Sequence, residues 1–363
     1  MRARVIAARR SAVVPRGGAF AGLSIESLAA PVIAALLADA GLAPRDVDEL
    51  VCSNALGAGG NPARRVALMA GLPERVAGLS IDRQCAGGLD ALLIARALVE
   101  SGAARVVIAG GVESYSRRPL RLTQDPAGGA PLAYDQPPFT PWPERELEVS
   151  AAAAELAERL GISRQEQDAH AILSHARALE AAPRMAAEIV PILGQHRDAF
   201  ARRLTPALAR RARVLAGSVT AANTAVAADA AAFVLIAAPG VVAGRGLGIV
   251  SGVTLGAGPL EPALGAIPAM QEALRLAVMA AGDLALVELM EAYAVQAIAC
   301  AGALGLDPTR VNSGGGALAR GHPIGASGAV LAVRLFHDLA QGPGLAAISA
   351  AGGLGTAVVF DRG

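Results

Sequence analysis

Apolar residues along this chain follow two spacings. Short apolar runs at residues 5–8, 49–53, 105–109, 233–237, 248–252 and 284–289 read as buried strands, and two more close the chain within LAAISAAGGLGTAVVF. Between them, residues 24–40, 62–70, 267–281 and 292–303 carry the spacing of helices packed on one side. Ser24 supplies an N-cap for the first of these, and Gly41 and Gly71 stop the first two. Strands alternating with helices at this spacing predict an α/β fold with a mostly parallel sheet covered on both faces. The alternation breaks between Arg117 and about Gly217. Residues 117–142 are rich in Pro and Gly, hold Tyr134, Phe139 and Trp142, and lack periodicity, which predicts a lid or loop. Residues 144–160 and 163–182 then read as helices, the second opening on a capping box of Ser163 and Glu166. The organisation expected is an N-terminal half over 1–116 continued by 218–245, a helical loop unit over 117–217, and a C-terminal half over 246–363. VVIAGGVES from Val106 and AISAAGGLG from Ala347 are both apolar strands running into paired glycines, a sign of internal duplication.

One stretch combines this pattern with reactive chemistry. In SIDRQCAGGLDALLIARALVE, residues 80–100, a short strand meets a helix with Cys85 at the turn. The first N–H groups of a helix lack internal partners and carry the positive end of its dipole, so a thiol placed there is drawn toward thiolate. Gly87 and Gly88 are expected to leave space for a substrate carbonyl. The plainer reading is a buried cysteine acting as a small hydrophobe. Of the five histidines, His322 alone lies in a glycine-rich turn before a helix, and Pro323 restricts its backbone to extended conformations. It is read either as a structural hydrogen bonder or as a ligand-facing group.

Composition narrows the classes. A chain of 363 residues with 53% hydrophobic and 17% charged positions has the makings of well-buried globular halves. A net charge of +1 and 3% aromatics give no reason to expect nucleic-acid binding. Three scattered cysteines form neither a disulfide framework nor a zinc motif, so no metal is expected and a cytoplasmic location is. Cys52 and Cys300 are read as core residues. The Arg-rich start is read as a first strand in preference to a transit peptide. No uncharged apolar run is long enough to span a membrane, and no membrane partner is expected.

The segments DRQCAGGLDA, AGGVESYS, GISRQEQDAHAILSHARA, GSVTAANTAVAADAAA, VELMEAYAVQ, NSGGGALARGHPIGASGA and AAGGLGTAV together resemble the thiolase superfamily over nearly the whole chain. That resemblance implies a duplicated five-layer α/β/α/β/α sandwich of two five-stranded sheets around central helices, with a helical loop insertion, assembled as a homodimer or a dimer of dimers. It implies no permanently bound cofactor, and coenzyme A thioesters as substrates. It casts Cys85 as the nucleophile that takes an acyl group, His322 as its base, and the backbone N–H groups of Cys85 and Ala351 as the oxyanion hole. Ala225 and Gly353, together with Phe139 and Trp142 of the lid, are the expected substrate- or coenzyme-contacting positions.

The coenzyme-binding segments depart from the family pattern, with Ala225 where a pantetheine-contacting serine is usual and Ala152, Ala153 and Ala154 where the family carries TAE, and the catalytic departures fall on one half of the cycle. Ser349 stands where a second cysteine removes a proton from the α-carbon of another acyl-CoA. Met290 stands where an asparagine helps to stabilise the enolate. A hydroxyl is far less acidic than a thiol, and a thioether is a weak acceptor. The expectation is an acyltransferase that forms a Cys85 acyl-enzyme and passes the group to an acceptor needing little carbon-acid activation. The alternatives are a conventional acetyl-CoA or 3-ketoacyl-CoA thiolase, or a thiolase-like subunit that is non-catalytic or depends on a small accessory protein.

Overall fold

The computed structural model describes residues 3–57, 59–146, 148–242 and 246–363. The chain opens with β1 (Arg4–Ser11), α1 (Ile25–Ala40), β2 (Glu49–Ser53), α2 (Pro62–Met69), β3 (Leu79–Ile81), α3 (Gly87–Glu100) and β4 (Val106–Glu113). Two helices, α4 (Val149–Leu160) and α5 (Arg164–Ala181), precede β5 (Ala228–Ala237). Then follow β6 (Leu247–Gly256), α6 (Ala266–Ala277), β7 (Leu286–Leu289), α7 (Ala294–Ala303), α8 (Ile324–Asp338), β8 (Pro343–Ala350) and β9 (Leu354–Asp361). Positions 243–245, beside the expected junction of the halves, lie outside the described residues.

The pairing repeats itself. β2 runs parallel to β3 and β4, while β5 is antiparallel to both β4 and β1. In the same way β7 runs parallel to β8, and β9 is antiparallel to both β8 and β6. The similar segments VVIAGGVES and AISAAGGLG therefore supply equivalent strands, β4 and β8. The sheets are mixed, not mostly parallel as the alternation suggested. Between β8 and β9 only a tight turn intervenes, with Gly352 and Gly353 at φ of 81° and 73°, and a connection that short forces an antiparallel neighbour. Among the described residues, the second half also has no full fifth strand. A single bridge, Val287 to Val311, marks its place, and the Asn312 side chain then occupies both the N–H and the C=O of Leu289. The edges of β1 and β6 pair at Arg4–Gly248 and Val5–Leu247, which links the two sheets side by side.

Period-two alternation explains the layers. In β4, Val107 and Ala109 face the central core while Val106 and Ile108 face outward; in β8, Ala346 and Ile348 face the core while Leu345 and Ala347 do not. The central layer is α3 and α8, whose Leu89, Leu92, Val330 and Val333 fill the space between the sheets. Leu28, Val32 and Leu36 of α1 cover the outside of the first sheet, and Met270, Ala273 and Leu274 of α6 cover the second.

The two central helices approach so closely that glycine is required at their contact. A Cβ on Gly88 would lie 2.5 Å from the Ala329 nitrogen, and one on Gly328 would lie 2.5 Å from the Leu89 nitrogen. A Cβ on Gly87 would lie 2.1 Å from the Ser53 hydroxyl. These glycines serve packing and do not hold open a substrate space, contrary to the expectation from sequence. Gly88→Ala should destabilise the protein by about 1–3 kcal/mol, seen as a lowered denaturant midpoint, because backbone and not a flexible side chain stands in the way. An unchanged midpoint would refute the close approach.

The insertion differs in detail from its expected form. Residues 117–142 contain a small antiparallel hairpin, Arg121–Thr123 with Leu132–Tyr134. α4 begins at Val149, not near 144, because the Glu148 carboxylate accepts the N–H groups of Ser150 and Ala151. The Ser163–Glu166 capping box forms as expected. The Arg-rich start is β1, whose fully buried Arg10 pairs with Glu188 and Asp198.

Candidate active site

Two chain segments converge at the starts of α3 and α8. After β3, Gln84 takes a left-handed φ of 45°, and residues Gln84–Ala86 make one tight helical turn that places Cys85 just before α3. After the short helix Ala317–Arg320, Gly321 at φ 111° turns the chain so that the His322 N–H donates to the Val226 carbonyl at 2.7 Å. Pro323 then leads into α8. The Cys85 sulfur lies 3.1 Å from His322 Nε2, and His322 Nδ1 lies 2.7 Å from the Ser327 hydroxyl in the first turn of α8.

Sequence reasoning missed Ser327. Its position five residues after the histidine, in the opening turn of a helix, was the available signal. For Nε2 to accept a proton from the thiol, Nδ1 must carry one and donate it to Ser327 Oγ, so Ser327 selects the useful tautomer.

Burial changes the electrostatic picture drawn from sequence. It pushes the Cys85 thiol up to about 12, although the N–H groups of Cys85 itself and of Ala351 point at the sulfur and favour its thiolate. Burial also pushes His322 down to about 4. The resting pair is therefore thiol and neutral imidazole, not the thiolate expected from the helix dipole alone. A sulfur anion in a largely apolar pocket loses hydration that two N–H donors do not replace.

Behind the pair, Glu113 at the end of β4 clamps two loops. Its carboxylate accepts from Ala55 N at 3.0 Å, Leu56 N at 3.2 Å, Asn54 Nδ2 at 2.7 Å and Gly325 N at 3.1 Å. Burial raises its pKa to about 7. It thus ties the loop after β2 to the start of α8.

Cys85 and His322 open onto a cavity of about 570 Å³. Ala225, Phe139, Ser349 and Ala351 line it. Three other expected positions lie elsewhere. Met290 is 1% exposed and fills the central core, where a thioether is well accommodated; Ala292, Tyr293 and Gln296 form the cavity wall at that segment. Trp142 is 43% exposed and stacks under the Arg145 guanidinium at 4.9 Å. Gly353 serves the β8–β9 turn, where a Cβ would meet the Gly258 carbonyl at 2.6 Å.

Ser349 reaches the cavity with its hydroxyl already committed. It donates to the Ala263 carbonyl at 2.9 Å and accepts the Ala266 N–H at 2.9 Å. Cys300 donates to the same carbonyl at 3.4 Å, and burial raises this thiol to about 11. Cys300 and Cys52 are both fully buried core residues.

Sequence comparison agrees with this architecture. The profile of the thiolase N-terminal domain matches residues 3–239, and that of the thiolase C-terminal domain matches residues 248–362. The chain belongs to the thiolase family. It is 36% identical to the Bacillus subtilis protein named "Putative acetyl-CoA C-acetyltransferase YhfS", with 99% of each chain covered. It is 33% identical to "Putative acetyl-CoA C-acetyltransferase VraB" of Staphylococcus aureus, covering 99% of this chain and 98% of that protein. Among solved structures, the chain superimposes on the Bacillus anthracis acetyl-CoA acetyltransferase with a TM-score of 0.91 at 30% identity, covering 99% of this chain and 98% of the other. The human mitochondrial 3-ketoacyl-CoA thiolase in complex with CoA gives a TM-score of 0.91 at 28% identity, covering 100% and 98%.

Proposed function

We propose that this thiolase-family acyltransferase forms an acyl-enzyme at Cys85 from an acyl-CoA and passes the acyl group to an acceptor that needs little carbon-acid activation. The observation that carries this reading is the contrast between two neighbouring groups. Cys85, His322 and Ser327 form a continuous hydrogen-bonded chain at the cavity. Ser349 is held by backbone on both sides.

In the acylation step, the thiol proton moves to His322 Nε2 as the sulfur attacks the thioester carbonyl. The N–H groups that now point at the sulfur, on Cys85 and Ala351, are placed to stabilise the developing oxyanion. Collapse expels the coenzyme A thiolate, which takes the proton back from His322. Coenzyme A binding is supported by the wall of Val149, Ala152, Ala153, Thr224, Ala225 and Ala292. It is an apolar surface for a pantetheine arm, and the buried Thr224 hydroxyl has no hydrogen-bond partner among the described residues. Thr224 can therefore receive an amide contact that Ala225 cannot make.

Intact-protein mass spectrometry after mixing with a panel of acyl-CoA donors tests the proposal. A mass gain localised to Cys85 is expected, and an unmodified Cys85 across the panel would overturn it. The pair's pKa values add a second check. The neutral imidazole is the base, so acylation at low donor concentration should be flat from about pH 5.5 to about 9, falling only as His322 is protonated near 4. An acid limb near 6.5, the ordinary imidazole value, would contradict the buried geometry.

A second reading, a conventional acetyl-CoA or 3-ketoacyl-CoA thiolase, is favoured by the names of the relatives. Acetoacetyl-CoA thiolysis separates the two, because an immobilised serine predicts a rate far below that of acyl-enzyme formation. For assembly, β3 is the outer strand of the first sheet and leaves Leu79 exposed, which supports pairing of two copies through that edge.

A further inference from the structure

The cavity has two unlike walls. Besides the apolar wall, the lining includes one built from the loops after β2, β3 and β4 and from the lid hairpin. It presents Arg118, Arg121, Asp82 and Asp135. An alkyl chain lying there would desolvate charged groups without offering them a partner, which is unfavourable. A wall of this kind fits a polar group.

Its charges are not equivalent. Arg118 is held in place, with its side chain 20% exposed and its guanidinium 5.3 Å from the centre of the Tyr115 ring. Its partner Asp135 is 80% exposed, an ion-pair partner that water or a ligand replaces readily. Arg121 is fixed at the same wall by donating to the Ala55 carbonyl at 3.0 Å. Asp82 is close enough to Cys85 to oppose its ionisation, so the negative member of the wall sits toward the sulfur.

We propose that Arg118, supported by Arg121, selects acyl donors that carry a carboxylate at the far end of the acyl group. This rests on the reading of Cys85 as the acylated residue. With pantetheine on the apolar wall, the acyl group extends past Asp82 toward Arg118, where its terminal carboxylate displaces Asp135. A planar guanidinium matches a carboxylate by two parallel hydrogen bonds. Asp82 sets a lower limit on length, because a carboxylate only two carbons from the thioester carbonyl would lie beside it.

Single-turnover acylation of Cys85, followed by intact mass, compares glutaryl- with valeryl-pantetheine. The two have equal carbon counts and lack the phosphates of coenzyme A. The glutaryl donor should react at least about tenfold faster in the native protein. Arg118→Gln should bring the ratio close to one, and Asp135→Asn should raise it by removing the competitor, with thermal melts checking that each variant is folded. Equal rates for the two donors in the native protein would overturn the proposal, as would a ratio untouched by Arg118→Gln. If Arg118→Gln slows both coenzyme A thioesters equally and leaves both pantetheine thioesters alone, the arginine reads coenzyme phosphates and the proposal falls. If neither donor labels Cys85, the acyl-enzyme reading fails as well, a result distinct from labelling without preference.

Discussion

Replacing Cys85 by alanine should abolish the acyl-enzyme and lower acyl transfer by about 10⁴-fold or more, the scale of losing a covalent nucleophile. The expectation rests on the surroundings of the sulfur. Among the described residues His322 is the one titratable base within hydrogen-bonding distance, and the N–H groups of Cys85 and Ala351 point at the same sulfur. Neither of the other thiols can substitute. Cys52 is fully buried, and burial, with a smaller contribution from Glu113, holds its thiol protonated, while Cys300 is fully buried with its thiol given to the Ala263 carbonyl. Alanine leaves a small void beside the cavity and keeps the Gln84–Ala86 turn, so folding should be little affected. Turnover and the acyl mass shift, measured on the same preparation, check the point. A variant that keeps either one would exclude Cys85 as the nucleophile.

Ser349→Cys should increase solvent deuterium exchange at the α-carbon of acetyl-CoA, and acetoacetyl-CoA thiolysis, by about 10²-fold, the lower range for adding a general base. In the native protein the hydroxyl donates to Ala263 and accepts from Ala266, and a serine has no accessible anionic form near neutral pH. A thiol has an accessible anion, with an ordinary pKa near 8.5, that a serine hydroxyl lacks, and its longer bond to carbon weakens the backbone contacts that hold the serine. The gain should stop short of a full second half-reaction, because Met290 stays buried in the core and offers no polar group to an enolate. Reductant should be present, since Cys300 and the new thiol would share one carbonyl partner. No change in exchange or thiolysis would show that Ser349 is not what limits carbanion formation. A native protein with exchange already as fast as its acylation would instead support the conventional thiolase reading.

Much of the architecture was written in local signals. Ser24 caps α1 through the Ser27 N–H, Gly41 ends it in a left-handed conformation, and the Ser163–Glu166 box opens α5. Such signals act within a few residues, so they survive reading in isolation. The lid hairpin was not legible, because its strands are only three residues long and carry no clear alternation. The start of α4 shifted because Glu148 is an unusual N-cap, where serine, threonine, aspartate or asparagine is the common choice.

At the site, the motifs around Cys85 and His322 were visible, and their distance was not. Glu113 and Ser327 escaped notice because each acts through a partner distant in sequence or on the next turn. Arg118 looked like one basic residue among many until the lid folded against the loop after β4. The glycines at 87 and 88 were read as open space and are filled by Ser53 and α8.

By itself, then, the sequence determined the duplicated α/β plan, the family, and the two segments that bear the thiol and the imidazole, since these depend on periodicity and on motifs contiguous in the chain. Only the tertiary structure decided the protonation of the Cys85–His322 pair, the commitment of Ser349 to backbone, the removal of Met290 to the core and the charged wall at Arg118. Each of these depends on burial and on neighbours brought from far along the chain, and neither is encoded at any single position.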